Sequence, residues 1–246
     1  MCGIVGYVGT NNVPNREYFA LDVVLEGLRR LEYRGYDSAG VAMLEGGKIN
    51  FRKKAGKVAG LDEEIARDPL PDSVVGIGHT RWATHGAPTD ANAHPHVVDG
   101  GKLAVVHNGI IELAAKGYTF ASETDTEVAA TLLGDIMNGE GNGDLTESMR
   151  LTCNRLEGAF TLLALNVDFP DRIVAARRNS PLVIGLGEGE NFLGSDVSGF
   201  IDYTKNAVEM ANDQIVTITA NDYSIIDFDG NEATGKPFKV EWDAAA

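Results

Sequence analysis

The second residue of the chain is a cysteine, and its position gives it special chemistry. Methionine is usually removed ahead of a small residue, and Cys2 qualifies. The new terminus would carry a thiol and a free α-amine on one residue. Reference pKa values are about 8.5 for the thiol and about 7.7–8.0 for the amine. The amine can therefore take the thiol proton, directly or through a water, and activate its own side chain as a nucleophile. The residue types leave a plainer role open, that of a small residue beginning a strand.

Three further segments carry chemistry. Gly78–Gly86 contains Arg81, whose planar fork suits a carboxylate. Its neighbour Trp82 has a large apolar body that could cover a site and exclude water. His107-Asn108-Gly109 offers an amide side chain beside a main-chain N–H free of side-chain bulk. One such oxyanion donor is worth roughly 3–4 kcal/mol in a transition state. A plain Asn-Gly turn is the alternative there. In Ser122–Thr126, the Asp125 carboxylate could bind an ammonium group, while Ser122 or Thr124 caps the next helix. The pattern Thr124-x-x-Glu127 is that of a capping box.

Other features are weaker. All five histidines (His79, His85, His94, His96 and His107) fall between Val74 and His107. No pair has the i, i+4 spacing of a zinc protease and no cysteine cluster joins them, so hydrogen-bonding loop histidines are expected and no metal. Gly185–Gly189 lacks a strand-turn-helix setting for a dinucleotide and reads as a turn. Cys153 reads as a buried, inert thiol inside a helix.

These residues need a scaffold. Ile4–Val8 is short, apolar and β-branched, a buried strand that would tie the terminus into a sheet. Tyr18–Tyr33 reads as a helix with Val24, Leu25, Leu28 and Leu31 on one face, closed by Gly35. Gly40–Leu44 and Lys48–Lys53 read as a hairpin. Leu61–Ala66, Thr126–Met137 and Leu145–Leu156 are helix candidates. Val74–His79 and Leu103–His107 are strands, with a long loop, Thr80–Gly101, between them. The second half reads as strands Phe160–Asn166, Arg172–Ala176, Leu182–Leu186, Phe192–Ser195, Gln214–Ala220 and Ser224–Phe228. Few, grouped helices and many short strands predict an α+β fold with antiparallel sheets, in one domain spanning 1–246.

Composition narrows the class. The 246 residues are 43% hydrophobic and 23% charged, with a net charge of −15. That is ordinary for a globular protein, and the acidity disfavours nucleic acid and anionic lipid. No apolar run reaches the roughly 18 residues of a membrane span. The N-terminus lacks the marks of a signal peptide, and two distant cysteines do not suggest a disulfide, so a cytoplasmic setting is expected. The tail Glu241–Ala246 reads like a cut in a longer protein.

Taken together, the segments resemble a known family. Met1–Gly6 is similar to the start of class II glutamine amidotransferases, the N-terminal nucleophile type. Leu28–Gly40, Gly78–Gly86, Asn92–His96, His107–Glu112 and Ser180–Gly187 resemble, in order and over nearly the whole chain, the glutamine–fructose-6-phosphate aminotransferases. The resemblance implies a four-layer αββα sandwich. It implies that Cys2 attacks the glutamine amide, that Asn108 and Gly109 hold the oxyanion, and that Arg34 organises the terminus. It assigns Arg81 to the substrate carboxylate and Asp125 to its ammonium, with Thr84, His85 and Gly109 nearby and Trp82 in a closing loop. It implies no cofactor. The partners would be L-glutamine and a sugar isomerase domain, absent here, that binds fructose 6-phosphate, in a homo-oligomeric whole enzyme. A phosphoribosyl-type amidotransferase is the alternative, or a non-catalytic module if Met1 is retained. Two departures stand out. Thr10–Phe19 is long for the family and reads as a surface insertion. Glu112 runs almost at once into Leu113–Gly117, through either a deletion or a mobile loop left out of the sequence.

Overall fold

The computed structural model describes residues 2–10, 18–83, 86–112 and 120–241. The expected insertion at Thr10–Phe19 falls mostly outside them, as do Leu113–Gly117 and the tail from Trp242.

The chain opens with β1 (Gly3–Gly9), α1 (Ala20–Leu31), β2 (Ser38–Glu45), β3 (Lys48–Ala55), α2 (Val58–Arg67) and β4 (Val75–Arg81). Then come β5 (His96–Val98), β6 (Leu103–Glu112), α3 (Asp125–Asn138), α4 (Leu145–Cys153), β7 (Glu157–Asn166) and β8 (Arg172–Arg178). Last are β9 (Val183–Leu186), β10 (Glu190–Gly194), β11 (Asn206–Glu209), β12 (Gln214–Thr219), β13 (Tyr223–Asp227), β14 (Glu232–Ala233) and β15 (Lys236–Lys239). Among the described residues they form two antiparallel sheets. One has the order β15-β11-β9-β10-β1-β4-β2-β3, the other β14-β13-β12-β8-β7-β6-β5.

Side-chain alternation explains the layering. Ile4 and Val8 of β1 enter a core that also holds Ala104 and Val106 of β6, Leu163 of β7 and Ile173 of β8. This core lies between the sheets. The intervening residues Val5 and Tyr7 face the other way, onto Val24 and Leu28 of α1. On the second sheet, Leu103, Val105, Leu162 and Val174 face Ala129 and Leu133 of α3 and Met149 of α4. Strands buried on both faces read as unbroken apolar runs, because neither set of alternate positions meets water. The result is the four-layer αββα sandwich.

Helix ends follow local chemistry. Asp22 accepts from the Phe19 N–H at 2.8 Å, which starts α1 at Ala20 rather than Tyr18. Asp144 does the same for α4 through the Glu147 N–H at 2.8 Å. That helix stops at Cys153, short of Leu156. The expected capping box at Thr124 is not formed. Glu127 reaches further back, to the Ala121 and Ser122 N–H groups, and the Thr124 hydroxyl turns to His96. The expected loop Thr80–Gly101 is shortened at both ends, by β4 running to Arg81 and by the three residues of β5.

Gly35 does not close α1 in a left-handed turn. A 3-10 turn, Glu32–Arg34, intervenes, and Gly35 is extended at φ −174° and ψ 134°. It is glycine for another reason. A Cβ there would lie 2.6 Å from the Arg81 carbonyl carbon and 2.7 Å from the Trp82 nitrogen. The turn after α1 is thus pressed against the end of β4. We expect Gly35→Ala to cost about 1–3 kcal/mol, the usual scale of overpacking, in urea denaturation. Unchanged stability would show that the two backbones separate freely.

Candidate active site

The site forms where elements from both sheets meet. β1 lies beside β4, with Gly3 opposite Thr80. The Gly3 N–H donates to Thr80 Oγ1 at 3.2 Å, and the Ile4 N–H donates to Ser195 Oγ at 3.0 Å. The chain is therefore fixed from its third residue, and Cys2 is held one bond further out. From the second sheet, Asn108 grips it at two points. Cys2 N donates to Asn108 Oδ1 at 3.1 Å, and Asn108 Nδ2 donates to the Cys2 carbonyl at 3.3 Å.

The Cys2 sulfur accepts from the Trp82 N–H at 3.4 Å. Burial raises the thiol pKa above its ordinary value. Burial thus favours the protonated thiol.

Cys2, Arg81, Trp82, Gly109 and Asp125 line one cleft. Arg81 ends β4, is 4% exposed, and donates to the Gly86 and Ala87 carbonyls at 3.3 Å each. Those contacts are long. A substrate carboxylate would offer shorter, charge-assisted bonds. Asp37 holds the chain beyond β4 in place by accepting from the Ala83 N–H at 2.8 Å. Trp82 itself is 44% exposed and stands edge-on to Tyr36, ring centroids 5.4 Å apart. Asp125 is the first residue of α3, where the helix dipole favours an anion.

Gly109 is not in a turn. Strand β6 runs through it to Glu112, and Gly109 faces Phe160 of β7. Its φ is +134°, and a Cβ would lie 1.9 Å from the Ala159 carbonyl oxygen. Only glycine fits there. Arg34 lies off the cleft. Its Nη2 pairs with Asp196 at 2.8 Å, beside Ser195, whose N–H donates to the Ile4 carbonyl at 3.1 Å. Arg34 thus reaches the terminus through two intermediate groups. Thr84 and His85 lie outside the described residues.

The histidines form a group that their spacing in sequence did not reveal. His79 and His94 stack with centroids 4.2 Å apart, and His94 meets His96 edge-on at 5.0 Å. His94 Nε2 and His107 Nδ1 both contact Thr126 Oγ1, while His96 Nε2 contacts Thr124 Oγ1. The hydroxyls of Thr124 and Thr126 make His94, His96 and His107 hydrogen-bonding histidines, and Thr126 was not singled out from the sequence. Among the described residues no group of three or more His, Cys, Asp or Glu is placed to hold a metal. Burial lowers each of these four rings: His79 and His96 to about 3, His94 well below its ordinary value, and His107 downward against the opposing pull of Asp125.

No family model matches the chain. Curated relatives do. The whole chain is 74% identical to part of the glutamine–fructose-6-phosphate aminotransferase [isomerizing] of Corynebacterium diphtheriae, covering 41% of it. It is 55% identical to the enzyme of that name from Streptomyces coelicolor, covering 40%, and 50% identical to that from Mycobacterium tuberculosis, covering 41%. Among solved structures, the glutamine phosphoribosylpyrophosphate amidotransferase from B. subtilis superposes with a TM-score of 0.75 at 22% identity, over 94% of this chain and 50% of that one. Over its whole length the chain is thus similar to part of the glutamine–fructose-6-phosphate aminotransferases, and it shares the fold of the B. subtilis amidotransferase. It spans about two fifths of the length of the curated relatives it matches. The alignment with the C. diphtheriae relative runs over 254 positions against the 246 residues present here, so the relative carries residues that this chain lacks. No described helix is long and apolar enough to cross a membrane.

The histidine cluster makes a prediction about stability. Below their ordinary value of 6.5, these imidazoles take up protons in the unfolded chain but not in the fold. Stability therefore falls as pH drops from about 6.5 toward 4. Urea denaturation at pH 7 and pH 5 should show the loss, and His79→Phe should make it shallower. An identical pH slope in that variant would mean that the ring titrates alike in both states.

Proposed function

We propose that this domain hydrolyses L-glutamine to glutamate and ammonia, with Cys2 as nucleophile once Met1 is removed. The observation that carries the reading is the Cys2 sulfur at 3.4 Å from the Trp82 N–H, in one cleft with Arg81 and Asp125. A free amino acid needs a cationic and an anionic anchor. Arg81 takes the α-carboxylate and Asp125 the α-ammonium of glutamine. The Cys2 amine takes the thiol proton, and the sulfur attacks the side-chain carbonyl carbon. Asn108 Nδ2 and the Gly109 N–H receive the oxyanion. The amine returns the proton to the departing nitrogen, and ammonia leaves. Water then hydrolyses the thioester and frees glutamate. No metal or organic cofactor enters these steps. Trp82 covers the site. We assign Thr84 and His85 to the glutamine site from the sequence motif alone, and Arg34 to the support of the terminus.

We extend this reading to the longer protein suggested by the relatives. There, residues 1–246 act as one glutaminase domain. A sugar isomerase domain uses the ammonia to convert fructose 6-phosphate into glucosamine 6-phosphate, in a cytoplasmic homo-oligomer. The 74% identity supports this acceptor over a phosphoribosyl one. The B. subtilis likeness, at 22% identity, speaks to fold.

Intact mass spectrometry and a glutaminase assay test the mechanism together. Protein that has lost Met1 should release ammonia from glutamine, and protein that retains it should not. Cys2→Ala should abolish release, and unchanged release in that variant would sink the nucleophile assignment. Arg81→Ala should act mainly on KM for glutamine, raising it about tenfold or more. A normal KM would remove Arg81 from the carboxylate site.

A further inference from the structure

A buried network adjoins the anchors and takes no part in the steps above. Thr126 Oγ1 lies 2.6 Å from His94 Nε2 and 3.0 Å from His107 Nδ1. The same His107 nitrogen lies 3.7 Å from Asp125 Oδ1. Thr126, His94 and His107 are all buried, so water does not stand in for these contacts.

Proton arithmetic gives the network a direction. A threonine hydroxyl has one proton to donate. It gives that proton to one imidazole and accepts from the other. Were it given to His107, the bare Nδ1 lone pair would face the Asp125 carboxylate, an electrostatic conflict. The opposite order places an N–H there. His107 then donates from Nδ1 to Thr126 Oγ1, and the positive edge of that N–H lies near the carboxylate. Thr126 donates onward to His94 Nε2.

The remaining ring nitrogens add to the argument. His94 Nδ1 and His107 Nε2 are buried without a hydrogen-bond partner among the described residues. Each ring is therefore held by hydrogen bonding at one end only, and Thr126 is the shared holder. Asp125 and Thr126 are also consecutive residues in the first turn of α3. A grip on one therefore sets the direction of the other.

We propose that His94, Thr126 and His107 form a directed hydrogen-bond chain that aims the Asp125 carboxylate and so makes the site select ligands by their α-ammonium group. This rests on the assignment of Asp125 to that ammonium in the proposed function. The three are positioning residues. His107 holds the carboxylate from behind, while its neutral ring leaves the negative charge of Asp125 for the ligand. A charged ring in that place would compete with the ligand for it.

The test compares two competitive inhibitors of glutaminase activity in Met1-free protein: L-glutamate and glutarate, which differ only in the α-ammonium. The reading is the inhibition constant of glutarate divided by that of glutamate. Thr126→Val keeps the buried volume and removes the hydroxyl, and its melting temperature is measured beside it. We expect the ratio to fall about tenfold, the scale of a lost hydrogen bond to a charged group's support, with KM for glutamine rising more than kcat falls. Thr126→Ser should restore both. Asp125→Asn is the reference and should lose the preference most fully. If Thr126→Val keeps the wild-type ratio while Asp125→Asn loses it, the chain is overturned and the role of Asp125 stands. If Asp125→Asn keeps the ratio as well, both fall. An equal weakening of both inhibitors by Thr126→Val also overturns the proposal, because a packing defect acts on both alike.

Discussion

Everything at the site depends on a strand that begins at the third residue. Chain termini usually fray, and a nucleophile on a frayed end could not be aimed. Here Gly3 bonds to Thr80, Ile4 bonds to Ser195, and β1 runs between β4 and β10 in the interior of its sheet. Two neighbouring strands fix its register, and both of its faces are buried. A slip of one residue would exchange Val5 and Tyr7 with Ile4 and Val8, and both cores would have to repack. The hydrophobic cost of that slip is what holds Cys2 in position.

The electrostatics follow a similar economy. The cleft is lined by two opposite charges, Arg81 and Asp125. A structure that packed more charge around them would blur the field felt by a ligand. Among the neighbouring groups are imidazoles that burial keeps neutral, together with the hydroxyls of Thr124 and Thr126. His94, His96 and His107 each bond a threonine hydroxyl at one ring nitrogen and add no net charge. Neutral polar groups in a low-dielectric setting orient the charged ones without screening them. The arrangement makes stability depend on pH, because the unfolded chain is free to protonate rings that the fold keeps neutral.

Much of this was legible in the sequence, and what was not has physical causes. The motif residues Cys2, Arg81, Trp82, Asn108, Gly109 and Asp125 all come from segments with distinctive residue types, and the structure brings them to one place. Helix α1 was legible because one face repeats Val24, Leu28 and Leu31. Strand β11, Asn206–Glu209, was not, because four residues cannot display a period. The role of Gly35 was misread because its constraint lies on Arg81 and Trp82, far along the chain. The same holds for Thr124. Its spacing to Glu127 suits a capping box, yet His96 competes for its hydroxyl. Local pattern reports local chemistry, and contacts between sheets override it.

The division of labour between the two sheets follows from the same packing. The first sheet brings Cys2 ahead of β1 and Arg81 at the end of β4. The second brings Asn108 and Gly109 through β6 and, through the helix packed on it, Asp125. Neither sheet carries a complete set. The distance from Cys2 to Asn108 and Gly109 is therefore set by the core between the sheets, by residues such as Ile4, Val106 and Leu163. Asn108 adds a conflict at that junction. Its amide bonds both the nitrogen and the carbonyl of Cys2, and the proposed chemistry asks the same Nδ2 to serve the oxyanion. The bond to the Cys2 carbonyl, at 3.3 Å, is the longer of the two and gives way more readily. Oδ1 can then keep its hold on the Cys2 nitrogen while Nδ2 turns to the new charge. One side chain would in this way both position the nucleophile and stabilise what the nucleophile makes. That coupling requires the two sheets to stay in fixed register with each other.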